Sequence, residues 1–185
     1  MLNDLSAETS KYFMKAPPAN ILEFAISDRV ILVEGPSEYM LFEKFYETVT
    51  NHKPETDGVN IIDVRGLSFK RYLELSKLIG EKTAVVTDND HDYKRHCVDK
   101  YSDYAQTNNI KIFFSQDNKQ NTFEVVLYNN NRNLCNELFG NAALEYMLKN
   151  KTESAYQLLL SEKEIIVPEY IRRACLLYTS DAADD

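Results

Sequence analysis

Two acidic groups stand out by where they fall. Glu34-Gly35-Pro36-Ser37-Glu38 follows the apolar run Arg29–Val33, and Asp88-Asn89-Asp90-His91-Asp92 follows Thr83–Thr87. In an extended chain the side chains of Asp88 and Asp90, two residues apart, would point to one side. Two bare carboxylates about 4 Å apart repel by roughly 4 kcal/mol at an effective dielectric near 20. Adding Glu34 makes the repulsion worse. Glu34, Asp88 and Asp90 together therefore require a shared proton or a cation. Mg²⁺ and Mn²⁺ suit such a cluster, because they prefer hard oxygen donors and keep waters for chemistry. Asp92, just ahead of a helical pattern, reads instead as a cap.

The elements that must position these acids follow from the pattern. Arg29–Val33 is almost wholly apolar, as in a strand of a parallel sheet buried on both faces. Ser37 caps a helix expected over Glu38–Val49, with Met40, Leu41, Phe45 and Val49 on its apolar side. Val59–Val64 is a second strand. Gly66 and Ser68 open a helix carrying Phe69, Tyr72, Leu73, Leu75 and Leu78, which Gly80 stops. Lys70 and Arg71 on it read as a solvated face. Thr83–Thr87 is the third strand, Tyr93–Ala105 a helix, and Ile110–Phe114 the fourth strand. Beyond Phe123-Glu124 the pattern is helical. This alternation predicts an α/β fold: a doubly wound sheet of about four parallel strands with a C-terminal helical appendage. In such sheets ligands bind beyond the carboxyl ends of the strands. Both acidic groups fall there.

The chain has 185 residues, 44% hydrophobic and 27% charged, with a formal net charge of -8. That is a globular composition. Its overall field does not steer it toward DNA, so any nucleic-acid contact must use local basic groups or bound cations. Cys97, Cys135 and Cys175 form no C-x-x-C pair, which argues against a disulfide framework and against a structural zinc site. A reduced, cytoplasmic setting is the expectation. His52, His91 and His96 have no metal-ligand spacing. The longest apolar runs are strand-sized, so no membrane span is expected.

Three familiar patterns share parts of the second acidic group and fail elsewhere. A calcium EF-hand loop needs Gly at its sixth position, where Tyr93 stands, and a helix before it. Haloacid-dehalogenase-like phosphatases follow D-x-D with Gly-Thr, whereas His91-Asp92-Tyr93 follows here. Phosphate-receiver folds lack the Glu34-Gly35 element. By contrast, Val33-Glu34-Gly35 and Asp88-Asn89-Asp90 resemble, in order and context, the Toprim domain of topoisomerases, primases and OLD-family (overcoming lysogenization defect) nucleases. RVILVEGPSE (29–38), GLSFKRYL (66–73), NTFE (121–124) and VPEYI (167–171) resemble the OLD subfamily's segments, to which Gabija-type nucleases are related.

That resemblance implies a Mg²⁺- or Mn²⁺-dependent DNA endonuclease using two ions, with a role in anti-phage defence. Glu34, Glu38, Asp88 and Asp90 would supply acidic ligands or a general base, Glu124 a ligand to the second ion, and Lys151 an ammonium beside the reacting phosphate. It implies three regions: 1–24 as a linker at the end of an ATPase domain, 25–128 as the Toprim core, and 129–175 as a helical C-terminal part. Residues 176–185, without an apolar period, read as a non-native tail resembling translated adapter sequence. ATP would act only through the ATPase domain, since no phosphate-loop G-x-x-x-x-G-K occurs here. DNA, a homodimer or higher oligomer, and a helicase are the implied partners. The alternatives are another Toprim enzyme, of topoisomerase or primase type, and a non-catalytic Toprim binding module.

Overall fold

Alternate residues of β1 (Arg29–Val33) are equally buried: Val30 and Leu32 on one side, Ile31 and Val33 on the other. A strand with no solvent face needs a helical layer on each side, and the fold supplies both. The structure is a computed structural model and describes residues 4–15, 18–65 and 69–179. Its strands β1, β2 (Val59–Asp63), β3 (Lys82–Val86) and β4 (Ile110–Phe113) form one sheet in the order β2-β1-β3-β4. All neighbours are parallel, with Ile31 beside Ile61 and Ala84, and Ala84 beside Lys111.

One face packs Ile31, Val33, Ala84 and Val86 against Leu41, Phe42 and Phe45 of α3 (Pro36–Thr50). The same core takes in helices from the C-terminal part: α5 (Phe123–Asn130), α6 (Arg132–Phe139), α7 (Ala143–Lys149), α8 (Lys151–Leu160) and α9 (Glu169–Leu176). The helical part thus closes a face of the sheet. The other face packs Val30, Leu32 and Val85 against Phe69, Tyr72 and Leu73 of α4 (Phe69–Ile79), with Phe24 and Tyr101.

Residues read as a linker from sequence include two helices, α1 (Ala7–Phe13) and α2 (Pro18–Ile26). Phe13 and Phe24 meet the Tyr72 ring edge-on at 5.5 and 5.1 Å. Arg71 bonds Glu8 at 2.9 Å and Thr9 at 3.1 Å, so it anchors α1 and is not a plain solvated residue. Ala16 and Pro17, and Gly66 to Ser68, the expected opening of α4, lie outside the described residues. So do residues 180–185 of the expected tail. Tyr178, also in that tail, is buried and donates to the Val30 carbonyl at 2.8 Å.

The helix expected over Tyr93–Ala105 is different in kind. It is a π-helical turn, Lys94–Asp99, followed by a 3₁₀ turn, Ser102–Tyr104. Ser102 Oγ donates to the Asp99 carbonyl at 2.9 Å, a side-chain bond that competes with helix continuation. Among the described residues, no helix is long and apolar enough to cross a membrane.

Just before β3, at the sheet edge away from the acidic groups, Glu81 is 7% exposed and neither of its carboxylate oxygens has a hydrogen-bond partner. Burial, and then Asp28, raise its pKa from 4.5 to about 8. The folded chain therefore holds a proton that the unfolded chain releases, and stability declines as pH rises from 4.5 toward 8. Glu81→Gln cannot ionise. Its unfolding free energy is expected to match the parent's near the lower end of that range and to exceed it by about 1–3 kcal/mol at the upper end, read as a higher thermal midpoint. A difference independent of pH would show that Glu81 is not held neutral by the fold.

Candidate metal centre

The strand order carries the argument from fold to site. The chain runs outward from β1 to β2, then returns past β1 to β3 and β4. The reversal lies between β1 and β3, where a crevice opens beyond the carboxyl ends of the two strands. Glu34 leaves β1 and Asp88 follows β3 by two residues, with Leu32 beside Val85 setting them at the same end. The Asp88 N–H donates to Glu34 Oε2 at 3.3 Å. Gly35 and Pro36 start α3 at once, which puts Glu38 in its first turn. One carboxylate oxygen each from Glu34, Glu38 and Asp88 lie within 4.8 Å of one another.

Burial sets the charge state of this triad. Desolvation, followed by repulsion from Glu34, Glu38 and Glu124, raises Asp88 to about 9. Glu38 rises to about 8, again mainly by desolvation, with Glu124 and Glu34 adding to it. Glu34 is raised by burial and by Asp90, against the lowering effect of the Asp88 N–H. A first-turn carboxylate is ordinarily favoured by the helix dipole; here desolvation outweighs that. The cause is common to all three: carboxylates withdrawn from water beside other carboxylates.

Asp90 is placed differently from the extended D-x-D expectation. Asp90 and His91 both have left-handed backbone, φ 47° and 69°, so alternation of side chains does not apply past Asp88. Asp90 is exposed and stands outside the compact triad, though near enough to raise Glu34. Asn89 imposes this turn. It is buried, and its Nδ2 donates to the carbonyls of Ser115, Asp117 and Gln120 at 2.8, 3.0 and 3.1 Å. Its Oδ1 accepts from His91 N–H at 3.1 Å. The Asp90 N–H donates to the Asn121 carbonyl at 3.2 Å. Asp92 caps as expected, its Oδ1 accepting from Arg95 N–H at 3.2 Å.

Glu124 is buried in the first turn of α5, whose cap is Thr122. Lys151 Nζ, from the first turn of α8, donates to Glu124 Oε2 at 2.9 Å. Its ammonium is held by Glu124, Asp88 and Glu38, which raise its pKa although burial lowers it. The distant segments 34–38, 88, 124 and 151 thus share one electrostatic neighbourhood. Sequence reasoning gave Tyr170 no role. Its fully buried phenol is pushed well above its usual value, first by desolvation and then by Asp88, Glu38, Glu124 and Glu34. The VPEYI segment was its only signal.

Residues 26–90 match the family model described as Overcoming lysogenization defect protein-like, TOPRIM domain. The chain carries an OLD-like Toprim domain. The matched stretch includes Glu34, Glu38, Asp88 and Asp90 and ends before Glu124 and Lys151. Its fold is similar to the C-terminal region of the Xanthomonas campestris pv. campestris OLD protein, with a TM-score of 0.61 at 20% identity, over 87% of this chain and 96% of that one. The C-terminal region of the Burkholderia pseudomallei OLD protein gives a TM-score of 0.57 at 18% identity, over 85% and 98%. No curated protein matches the chain. The likeness in fold to those C-terminal regions runs past the matched stretch.

Because Asp88 and Glu38 titrate above the ordinary carboxylate range, the metal-free fold loses stability as pH rises toward their values of about 9 and about 8. In a Glu81→Gln background, the thermal midpoint in EDTA is expected to fall between about pH 5 and pH 9. Mn²⁺ at a hundredfold its Kd should add about 2.7 kcal/mol and flatten that fall. A midpoint unmoved by Mn²⁺ at high pH would rule out a cation site at the triad.

Proposed function

We propose that this OLD-like Toprim domain is a Mg²⁺- or Mn²⁺-dependent endonuclease that hydrolyses DNA phosphodiester bonds with two ions. The observation that carries the reading is the convergence of Glu34, Glu38 and Asp88, one buried and two half-buried, at the switch point of the sheet. The donor set fits a hard cation: carboxylate oxygens in a crevice, repelling one another. Gly35 leaves room beside it, since a Cβ there would stand 3.5 Å from Glu38 Oε2. In this reading Glu34, Glu38 and Asp88 hold one ion, and Asp90 and Glu124 serve the second. Bound ions would supply Lewis acidity and lower the pKa of water. The chain's own groups do the rest. Asp90, exposed above the triad, is the carboxylate open to solvent and to an incoming water. Lys151 keeps an ammonium at the rim, where a phosphate's developing negative charge is stabilised. Tyr170 and the apolar core behind the acids exclude water from their far side.

The two solved relatives are C-terminal regions of OLD proteins. By extension, we read residues 1–24 as following an ATPase domain, through which ATP would act, and 25–128 as the catalytic core. Assembly into a homodimer or higher oligomer, a helicase partner, a cytoplasmic setting and a role in anti-phage defence belong to the same proposal.

The test is cleavage of supercoiled plasmid during a Mn²⁺ titration. Activity should vanish in EDTA. Asp88→Asn should lower it by more than about 100-fold, the upper end of what losing even an outer-shell partner of a metal costs. The 185-residue chain alone should cut more poorly than a protein extended by the ATPase domain, since its net charge of -8 opposes DNA. Cleavage that persists in EDTA would overturn the metal mechanism. Equal cleavage by both proteins would overturn the role given to the ATPase domain.

A further inference from the structure

The acids accept an ammonium from one helical layer; a second cationic element faces them from the other. Lys151 stands on α8, in the layer that packs on Ile31 and Val33. The π-helical turn Lys94–Asp99 leads into Tyr101, which is buried in the opposite layer with Val30 and Leu32. The turn is fixed against the site itself, because Cys97 Sγ donates to the Asp88 carbonyl at 3.4 Å. Its register is set by the Lys100 N–H, which bonds the carbonyl of Arg95 at 3.2 Å.

That register has a geometric consequence. In an α-helix, residues five apart are rotated from each other by roughly 140°. In a π-helical turn they are joined by the i→i+5 bond and share a face. Arg95 and Lys100 are therefore aligned, with Arg95 exposed and Lys100 half-buried. Lys100 Nζ lies 5.1 Å from the centroid of the Tyr101 ring. Neither Arg95 nor Lys100 has a salt bridge among the described residues. Lys100 is close enough to Glu34 to act on its charge. For a chain of net charge -8, such aligned cations beside an acidic crevice are where a polyanion can approach.

We propose that the π-helical turn aligns Arg95 and Lys100 as a two-cation cradle for consecutive phosphates of a DNA strand, so that the strand crosses the acidic crevice between this cradle and Lys151. The inference rests on the nuclease reading and adds to it the surface that seats the substrate. Arg95 and Lys100 act as positioning residues: they hold the backbone and touch no reacting atom.

The experiment measures binding of a fluorescent DNA duplex to the 185-residue chain by anisotropy, in Ca²⁺ and low salt, as a function of salt concentration. Removing two phosphate contacts should make the slope of log K against log salt shallower by about 1.8. Arg95→Gln/Lys100→Gln is expected to show that loss, and Arg95→Lys/Lys100→Arg to restore it. Lys44→Gln/Lys77→Gln removes the same net charge from α3 and α4, away from the turn. It should leave the slope unchanged. An unchanged slope in Arg95→Gln/Lys100→Gln, or an equal loss in the Lys44/Lys77 control, overturns the cradle and leaves the nuclease reading standing. Failure of the unsubstituted chain to bind duplex DNA at any salt overturns the cradle, and plasmid cleavage then decides the nuclease reading separately.

Discussion

Mutual repulsion of carboxylates at the end of a parallel sheet is the constraint around which this domain is arranged. Glu34, Glu38 and Asp88 would separate if they stood on flexible segments. They cannot, because Glu34 and Asp88 extend from paired, fully buried strands and Glu38 sits on the helix that follows at once. The hydrophobic cores on both sheet faces hold the backbone while the side chains oppose it. Raised pKa values at Asp88 and Glu38 express that opposition in chemical form. Local instability of this kind is common where binding energy is to be directed at a ligand.

The surroundings soften the repulsion without removing it. Lys151 pairs with Glu124, so a buried acid at the far side of the cluster already has a cation. Removing the half-exposed lysine would leave the buried Glu124 without that partner, so Lys151 has a structural duty beside any chemical one. Tyr170 feels the same field: burial, and then Asp88, Glu38, Glu124 and Glu34, hold its phenol protonated well above the usual range.

The centre of the sheet was legible from sequence because β1 and β3 are apolar on both faces, as strands covered on both sides are. All four strands lie where the pattern put them, to within a residue or so at the ends. The convergence of Glu34 with Asp88 was legible too, because they stand within two residues of the ends of neighbouring strands. The position of Asp90 was not. It depends on Asn89, whose partners lie some thirty residues along the chain at Ser115, Asp117 and Gln120, and no local pattern encodes such long-range bonds. The π-helical turn escaped notice because Cys97 and Tyr101 repeat at an ordinary helical interval, and the hydrogen-bond register has no signature in residue type. The polar stretch ahead of Pro17 reads as a helix tail, and α1 is one; what composition hid is that Phe13 and Phe24 pack their rings on Tyr72 in three dimensions.

Asn89 carries one more implication, for how this sequence can drift. By tying its amide to three carbonyls of the 115–120 stretch, it makes that surface loop and the acidic turn a single rigid body. Surface loops are ordinarily where chains gain and lose residues over evolutionary time. Here a lengthened loop would pull on Asn89 and re-aim the chain on either side of it, including Asp88. Descendants of this domain are thus constrained to keep the length of the connection beside the acids.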